Sequence, residues 1–569
     1  MAKNKFQPPW RETPPLPGTY RSIFKWGDPD EYKHPNPGLY EMMKETFSLD
    51  DSDFQQRIME GDREVRLKQK SRLDARHLKK FQSICGSENV QTDDYTRAKY
   101  SCGKTMEETL DLRNGKVPMV TEAVVHPRNR KEIEAIVAYC HQKKIPVYVF
   151  GGGSSVTLGL SPVRSGITLV LQTYLNRFIE LNETNQTATV EAGMMGPRYE
   201  EFLNNAPEHL DGKQRYTCGH FPQSFEYSSV GGWVVTLGSG QQSSYYGDAY
   251  HMVMNQVYVT PRGTITTEVY PATATGPKLN DIFLGSEGTL GILVEVTLKI
   301  FRYMPENRKR FAYMFPSWES TVDFAREVTQ GEFGSPSVFR ISDPEETSVA
   351  MKLYGIEGTP IDTMIRLRGF RDMERCLFIG QADGEISFTK NIKKKVKSIA
   401  RRHGGMYLTG YPVKKWEHGR FRDPYMREDM QDFGVVIDTL ETGVTWDRLH
   451  QVHREVRKYI KKRDQIICMT HASHFYSQGT NLYFIFIGQF KTTKDYKRFQ
   501  EGIIDTIEKS GGSLSHHHGV GKMIAPWMER HLGKEGMDIL RALKRHLDPR
   551  DIMNPGGTLG LGLSDEKKK

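Results

Sequence analysis

Cysteine is scarce in this chain: six of 569 residues, Cys85, Cys102, Cys140, Cys218, Cys376 and Cys468. They form neither a CxxC nor another zinc-type spacing, so a disulfide framework and a structural metal are not expected and the thiols read as reduced. Long apolar runs are also missing, which argues against a membrane-spanning helix. The opening residues, MAKNKFQPPWRETPPLPGTY, lack a signal-peptide core, and the closing EKKK is not a Ser-Lys-Leu-type peroxisomal address. A cytoplasmic protein is therefore expected. A nucleic-acid partner is not, despite the net charge of +9, because there is no recognised binding motif and no basic stretch interleaved with stacking aromatics.

A chain of this length is too long for one hydrophobic core, so two or three domains are expected. Residues 1–110 read as a Pro-rich entry followed by charged helices, a helical extension without a catalytic pattern. From about residue 111 to 302, strand-like runs (PVYVF, TLVLQT, TATVEAG, VYVTPRGTI, GILVEVTLKI) follow an amphipathic helix. Residues 303–510 alternate strands (FAYMF, CLFIGQ, GVVIDTL, LYFIFIGQF) with helices, and residues 511–569 hold a Gly-rich loop and a final helix. Within the third segment, KNIKKKVKSIARRHGG places Ile392, Val396, Ile399 and Ala400 at helical spacing. This predicts a basic amphipathic helix lying on a sheet; contact of its charged face with an anionic membrane is the alternative.

Glycine is where chemistry first shows. Gly151, Gly152, Gly153, Ser154 and Ser155 follow a strand, but no Gly-Lys-Ser/Thr follows as in a Walker loop, and Val156 and the TLGLSPV run spoil a Rossmann fingerprint. What remains is a turn whose exposed N–H groups can cradle a diphosphate. Three more Gly/Ser-rich stretches follow: GHFPQSFEYSSVGGW, GSGQQSSYYGD and GSEGTLGIL. Each glycine costs backbone entropy unless something must approach closely, so four clusters imply a large, extended ligand.

The other unusual stretch is GGSLSHHHGVGK, with His516, His517 and His518 in a row. Its internal position excludes a purification tag. Adjacent residues point in divergent directions, which argues against three ligands on one ion and leaves acid/base chemistry or an ordinary structural role open.

Together, PVYVFGGGSSVTLG, SSVGGW, GSEGTLGI and SHHHGVGK resemble the vanillyl-alcohol-oxidase/PCMH-type FAD-binding flavoproteins, and among them the alkyldihydroxyacetonephosphate synthases of ether-lipid synthesis. The resemblance covers roughly residues 110 to 555. It implies an α+β fold: a two-subdomain PCMH-type FAD-binding domain at 111–302, an α+β substrate (cap) domain at 303–510, and helical extensions. By the same resemblance, Gly151, Gly152, Gly153, Ser154, Ser155, Ser229, Val230, Gly231, Gly232, Glu287, Gly288 and Gly291 hold FAD. No His or Cys stands in the 151–156 loop, so noncovalent FAD is expected.

The resemblance implies the substrate side at His220, Arg340 and Arg427, and catalysis at Tyr483 and the histidine triplet; a structural salt bridge is the equal alternative for Arg340, and without the resemblance Tyr483, in an alternating strand, would read as a packing residue. Arginine suits a phosphate, histidine suits proton removal beside a ketone, and tyrosine can relay a proton. His471 and His474, just before the Tyr483 strand, are close enough in sequence to join the site, though exposed or structural roles are the first expectation. In the family, acyl-dihydroxyacetone phosphate forms an adduct with flavin N5 and exchanges its fatty acid for a fatty alcohol, without net redox. Such lipid substrates imply peripheral membrane contact; the oligomeric state is left open, a homodimer being one form allowed.

Two departures qualify the match. Where the family commonly carries Thr-Arg-Ala-Ser-Gly, this chain has Thr236-Leu237-Gly238-Ser239-Gly240 followed by Gln241 and Gln242. The tail DPRDIMNPGGTLGL resembles those of FAD-linked 2-hydroxy-acid dehydrogenases, so an oxidase or dehydrogenase is the second reading. A flavin-binding protein without catalysis is the third.

Overall fold

The computed structural model describes residues 6–569. Two sheets build the first half. Strands Val90–Gln91, Ala123–Val125, Ile167–Val170 and Val147–Phe150 lie side by side in that order. The last three are parallel and the first is antiparallel to its neighbour. Their side chains are almost wholly buried on both faces, as a covered parallel sheet requires. Helix Arg130–Lys143 packs Ile133, Ile136, Val137 and Cys140 against this sheet, opened by an Asn129 side-chain cap. The second sheet is antiparallel, in the order Phe178–Asn182, Thr187–Glu191, Ile292–Lys299, Val253–Thr260, Gly263–Thr266.

The other half is an antiparallel sheet ordered Met406–Tyr407, Lys309–Phe315, Cys376–Ala382, Val338–Ser342, Ile467–Ala472, Gly479–Gln489, Val435–Thr445, with Phe475–Tyr476 added beside Gly479–Gln489. Strand alternation divides its residues cleanly. Leu482, Phe484 and Phe486 enter the core with Val452, Val456, Ile503 and Ile507 of helices Trp446–Ile460 and Thr493–Ser510. Their neighbours Tyr483, Ile485 and Ile487 face a cavity instead. One face of this sheet is thus structural and the other is available for chemistry. The fold is the expected α+β type.

The basic helix spans Ile386–Arg402 and buries Ile392, Val396, Ile399 and Ala400 in the same core. It lies on the sheet, its lysine face outward. The charged stretch at 51–81 departs from expectation: only Ala75–Cys85 is helical there. Residues 58–64 are instead drawn out by main-chain bonds, Ile58 N to Asp432 O (2.8 Å) and Arg21 N to Gly61 O (2.8 Å). Tertiary partners for the backbone outbid helix propensity.

That N-terminal region straps the two halves together. Asp432 is fully buried and accepts from Arg21 Nη1 and Nη2, both at 2.9 Å, and from Arg113. Burial pushes the Asp432 carboxyl up, but the two guanidinium groups outweigh it and hold it below the ordinary range. A depressed folded-state pKa contributes stability above the unfolded value, and this is lost as pH falls through the folded one. Asp432→Asn strands two buried cations, so it is expected to destabilise the protein by roughly 3–5 kcal/mol at neutral pH. Urea unfolding of both proteins measures this, and the difference should shrink on acidification.

Candidate functional site

One cavity of about 1020 Å³ joins the two halves. Its floor on the first half is made by Gly151, Gly152, Gly153, Ser154, Ser155, Ser229, Gly231, Gly232, Glu287, Gly288 and Gly291, brought together from three loops. The glycines are sterically demanded. A Cβ on Gly152 would stand 2.3 Å from Tyr227 O, and one on Gly151 would stand 2.4 Å from Ser229 Oγ, because these loops pass in backbone contact. The N–H groups of Gly152, Gly153, Ser154, Ser155 and Val156 have no protein acceptor among the described residues. Successive free amides in a cavity wall suit an anionic diphosphate. Val230 is the exception among the expected contacts: it is buried in the core beneath, its N–H bonded to Met194 O at 2.8 Å, and does not line the cavity.

The histidine loop closes the far side. Its shape follows from Glu441, a buried carboxylate on strand Val435–Thr445. It accepts from the backbone N–H of His516 (2.7 Å), His517 (3.2 Å) and His518 (3.0 Å), and from Ser515 Oγ (2.7 Å). Burial pushes the Glu441 carboxyl up, but His518, His516 and these donors more than compensate and hold it below the ordinary range. The loop's tail is pinned to the other half. Glu287 accepts from Val520 N (2.6 Å) and Gly521 N (2.8 Å), and its own carboxyl is pushed up to about 7 by burial.

His517 and His518 line the cavity; His516 stands one step behind, with Nδ1 3.0 Å from His517 Nδ1. Burial lowers the His517 pKa well below the ordinary value, and neighbouring imidazoles lower it further. His518 is lowered too, by burial, with Glu441 and Asp438 opposing. Both are neutral imidazoles at neutral pH, the form a base needs. Tyr483 lines the same wall, donates to Thr439 Oγ1 at 3.0 Å and stands 3.5 Å from His518 Nε2. Burial pushes its hydroxyl up to about 12.

Arg340 and Arg427 also reach the cavity. Arg340 Nη2 pairs with Glu346 (2.6 Å) and touches His471 Nδ1 (3.1 Å). Arg427 Nη2 donates to Lys104 O (3.1 Å), while its buried Nε has no protein partner. His220 is not brought to the site. It lies in a small separate pocket behind Trp233, with neither ring nitrogen partnered, and burial lowers its pKa to about 4. The strand Tyr216–Thr217 just before it is held by pairing with Phe301–Arg302.

Of the two roles open to His471 and His474, the structure favours joining the site: both are buried and line the cavity. Their THASHF spacing at the end of a strand was the available signal. Glu441, Asp248 and Tyr476 carried none, since the partners that place them in this cluster lie tens or hundreds of residues away. Ring nitrogens of His474, His516 and His517 lie within 4.8 Å of one another. The rings of His474 and His516 are parallel to within 9°. Their in-plane lone pairs therefore run in parallel planes and do not meet at one ion. Leu237 does not line the cavity; it adopts a left-handed φ of 53° and covers Gly285, whereas Gln241 is on the wall.

Comparison with known proteins agrees with this geometry. Residues 121–268 match the model of the FAD binding domain, and residues 304–558 that of the C-terminal domain of FAD linked oxidases. An alkyldihydroxyacetonephosphate synthase of Dictyostelium discoideum is 30% identical over 82% of this chain and 78% of its own length. The chain belongs to the alkyldihydroxyacetonephosphate synthase family. A relative of that name from Caenorhabditis elegans is also 30% identical, over 79% of this chain and 78% of its own. A solved alkyldihydroxyacetonephosphate synthase superposes with a TM-score of 0.79 at 26% identity, covering 94% of this chain and 98% of the other.

The cofactor is FAD, and as in other family members the protein is an enzyme. Free loop amides fit the diphosphate, and the cavity is large enough for an extended dinucleotide. Gly152→Ala drives a methyl into the Tyr227 carbonyl, so flavin content after purification is expected to fall severely. Visible absorbance per mole of folded protein measures it.

Proposed function

We propose that this enzyme exchanges the acyl chain of acyl-dihydroxyacetone phosphate for a fatty alcohol, forming an ether bond without net redox. Family membership supports the reaction class. The observation that carries the substrate class is the apolar part of the cavity lining. It is made by Met314, Val349, Met351, Leu353, Ile356, Ile365, Leu377 and Leu408, an apolar surface suited to a long hydrocarbon chain. A small 2-hydroxy acid has no use for such a surface.

Bound FAD supplies an electrophilic ring that can take up an electron pair. The chain's own residues do the rest. Arg427, with an unpartnered Nε, is the candidate for the substrate phosphate, and Gln241 offers a neutral contact. A neutral His517 or His518 removes the proton beside the ketone, and Tyr483 O–H can hydrogen-bond the developing oxyanion. The same base returns that proton to the carbon after the alcohol has replaced the carboxylate, so the net proton released is the hydroxyl proton of the fatty alcohol.

Incubation of the holoenzyme with acyl-dihydroxyacetone phosphate and labelled fatty alcohol is expected to give ether and free fatty acid in equal amounts, with no electron acceptor. His517→Ala should keep its flavin and lose roughly 10²–10⁴-fold in turnover. The acid limb of kcat/KM should fall below the ordinary histidine range, since both cavity imidazoles are lowered. Turnover that instead demands a dye acceptor and a 2-hydroxy acid would establish the dehydrogenase reading.

Both substrates reside in bilayers, and we propose peripheral membrane attachment beside the apolar part of the cavity lining. Helix Pro360–Leu367 lies there: Ile361 and Ile365 line the cavity, while Leu367 is 84% and Ile361 58% exposed. The basic helix Ile386–Arg402 has its apolar face already buried and offers only charge. Vesicle flotation is expected to show binding that Ile361→Glu with Leu367→Glu abolishes; binding unchanged in that variant would point elsewhere on the surface.

A further inference from the structure

A chain of hydrogen bonds leaves the cavity behind the histidine loop and ends at Asp248, a largely buried carboxylate beside the half-exposed His251. His517 Nδ1 is 3.0 Å from His516 Nδ1, His516 Nε2 is 2.8 Å from Tyr476 O, and Tyr476 donates to Asp248 Oδ2 at 2.6 Å. Beside Asp248, His251 Nδ1 is 3.8 Å from the same oxygen, with its side chain half exposed. None of Asp248, Tyr476 or His516 lines the cavity, and the reaction proposed above leaves all three without a part.

Counting protons along this chain fixes its direction. Tyr476 has one hydroxyl proton, and the acceptor-only carboxylate of Asp248 takes it. The phenol oxygen can then only accept from His516, so His516 carries its proton on Nε2. A His516 ring that carries one proton, on Nε2, presents a lone pair at Nδ1, and His517 then meets it with Nδ1–H. Glu441 Oε2, 3.6 Å from His517 Nδ1, favours the same placement. His517 is left with a free lone pair on Nε2, on the ring that lines the cavity. A largely buried carboxylate, next to the half-exposed His251, thus sets which nitrogen of His517 is basic.

We propose that Asp248, Tyr476 and His516 form a proton relay that holds His517 Nε2 as the base and carries its proton to solvent. His517 takes the hydroxyl proton of the fatty alcohol on Nε2 and releases the one on Nδ1 to His516 Nδ1. His516 passes its Nε2 proton to Tyr476 O, and Tyr476 passes its hydroxyl proton to Asp248 Oδ2. Asp248, now a neutral acid, loses it to water. One proton leaves the substrate and one reaches solvent; only N–H and O–H bonds change. The need for an exit rests on the proposed reaction, which converts an ester to an ether and a carboxylate and so releases one proton inside a buried site. The groups facing the relay are His474, stacked on His516, Ser239 near Asp248 and Tyr476, and Glu441 under the loop.

Histidine-labelled holoenzyme, read by two-bond ¹H–¹⁵N correlation and assigned with His516→Gln, is expected to show His516 protonated at Nε2. Tyr476→Phe and Asp248→Asn should each abolish that preference. In the ether-forming assay, both should lower kcat roughly tenfold or more, with KM and flavin content unchanged. Nδ1-protonated His516 in the wild type overturns the relay, as does a kcat within about twofold of wild type in both variants. If the wild type makes no ether, the reaction reading falls, and the tautomer measurement still decides the relay.

Discussion

Glu441 is the group on which the active side of this protein depends. Three consecutive histidines on a Gly-rich loop would ordinarily scatter, since neighbouring side chains diverge. Here one buried carboxylate collects the three amides of the triplet and the preceding serine hydroxyl, so the loop's backbone is curled around a fixed anion. A buried charge is costly unless its hydrogen bonds are complete, and these donors complete them. The loop therefore holds the only shape in which the carboxylate is satisfied. The histidines face where that shape sends them: two to the cavity and one backward to Tyr476.

The anchor would mean little if the two halves drifted. Glu287 ties the loop's tail to the flavin-binding loops, while the N-terminal strap ties the cap sheet to the same place. Lys104 N donates to Ser155 O of the glycine loop at 2.7 Å, and Lys104 O accepts from Arg427. One residue of the strap thus touches a flavin-loop carbonyl and a candidate phosphate-binding arginine. The Asp432 cluster, uniting Arg21, Arg113 and the cap, fixes the strap itself. Buried ion pairs add little net stability, but breaking one is expensive, which suits a junction that must keep its register.

Burial then tunes the chemistry. His517 and His518 are desolvated among other imidazoles and lose affinity for protons, while Tyr483 keeps its own. Neutral bases beside a reluctant acid are the pair needed to remove a proton next to a ketone near neutral pH. The apolar part of the cavity lining excludes water from the same place.

The glycine clusters, the strand runs and the triplet were legible in the linear chain because each rests on a local rule: a turn that only glycine allows, a two-residue alternation, an internal His run. Those rules led to the α+β class, the FAD cradle and the family. Long-range geometry lay beyond them. Val230 and His220 match family motifs yet fall behind the cavity wall, because a motif gives adjacency in sequence and not which way a side chain turns. His471 and His474 looked ordinary until strand pairing put them beside Tyr483. Glu441 stands 75 residues before His516, and Asp248 some 228 before Tyr476, so no spacing could announce either. What the sequence determined alone was which backbone could approach a large ligand. Which nitrogen, oxygen and charge meet there was decided by tertiary packing, since hydrogen bonds between distant residues exist only once the chain has folded.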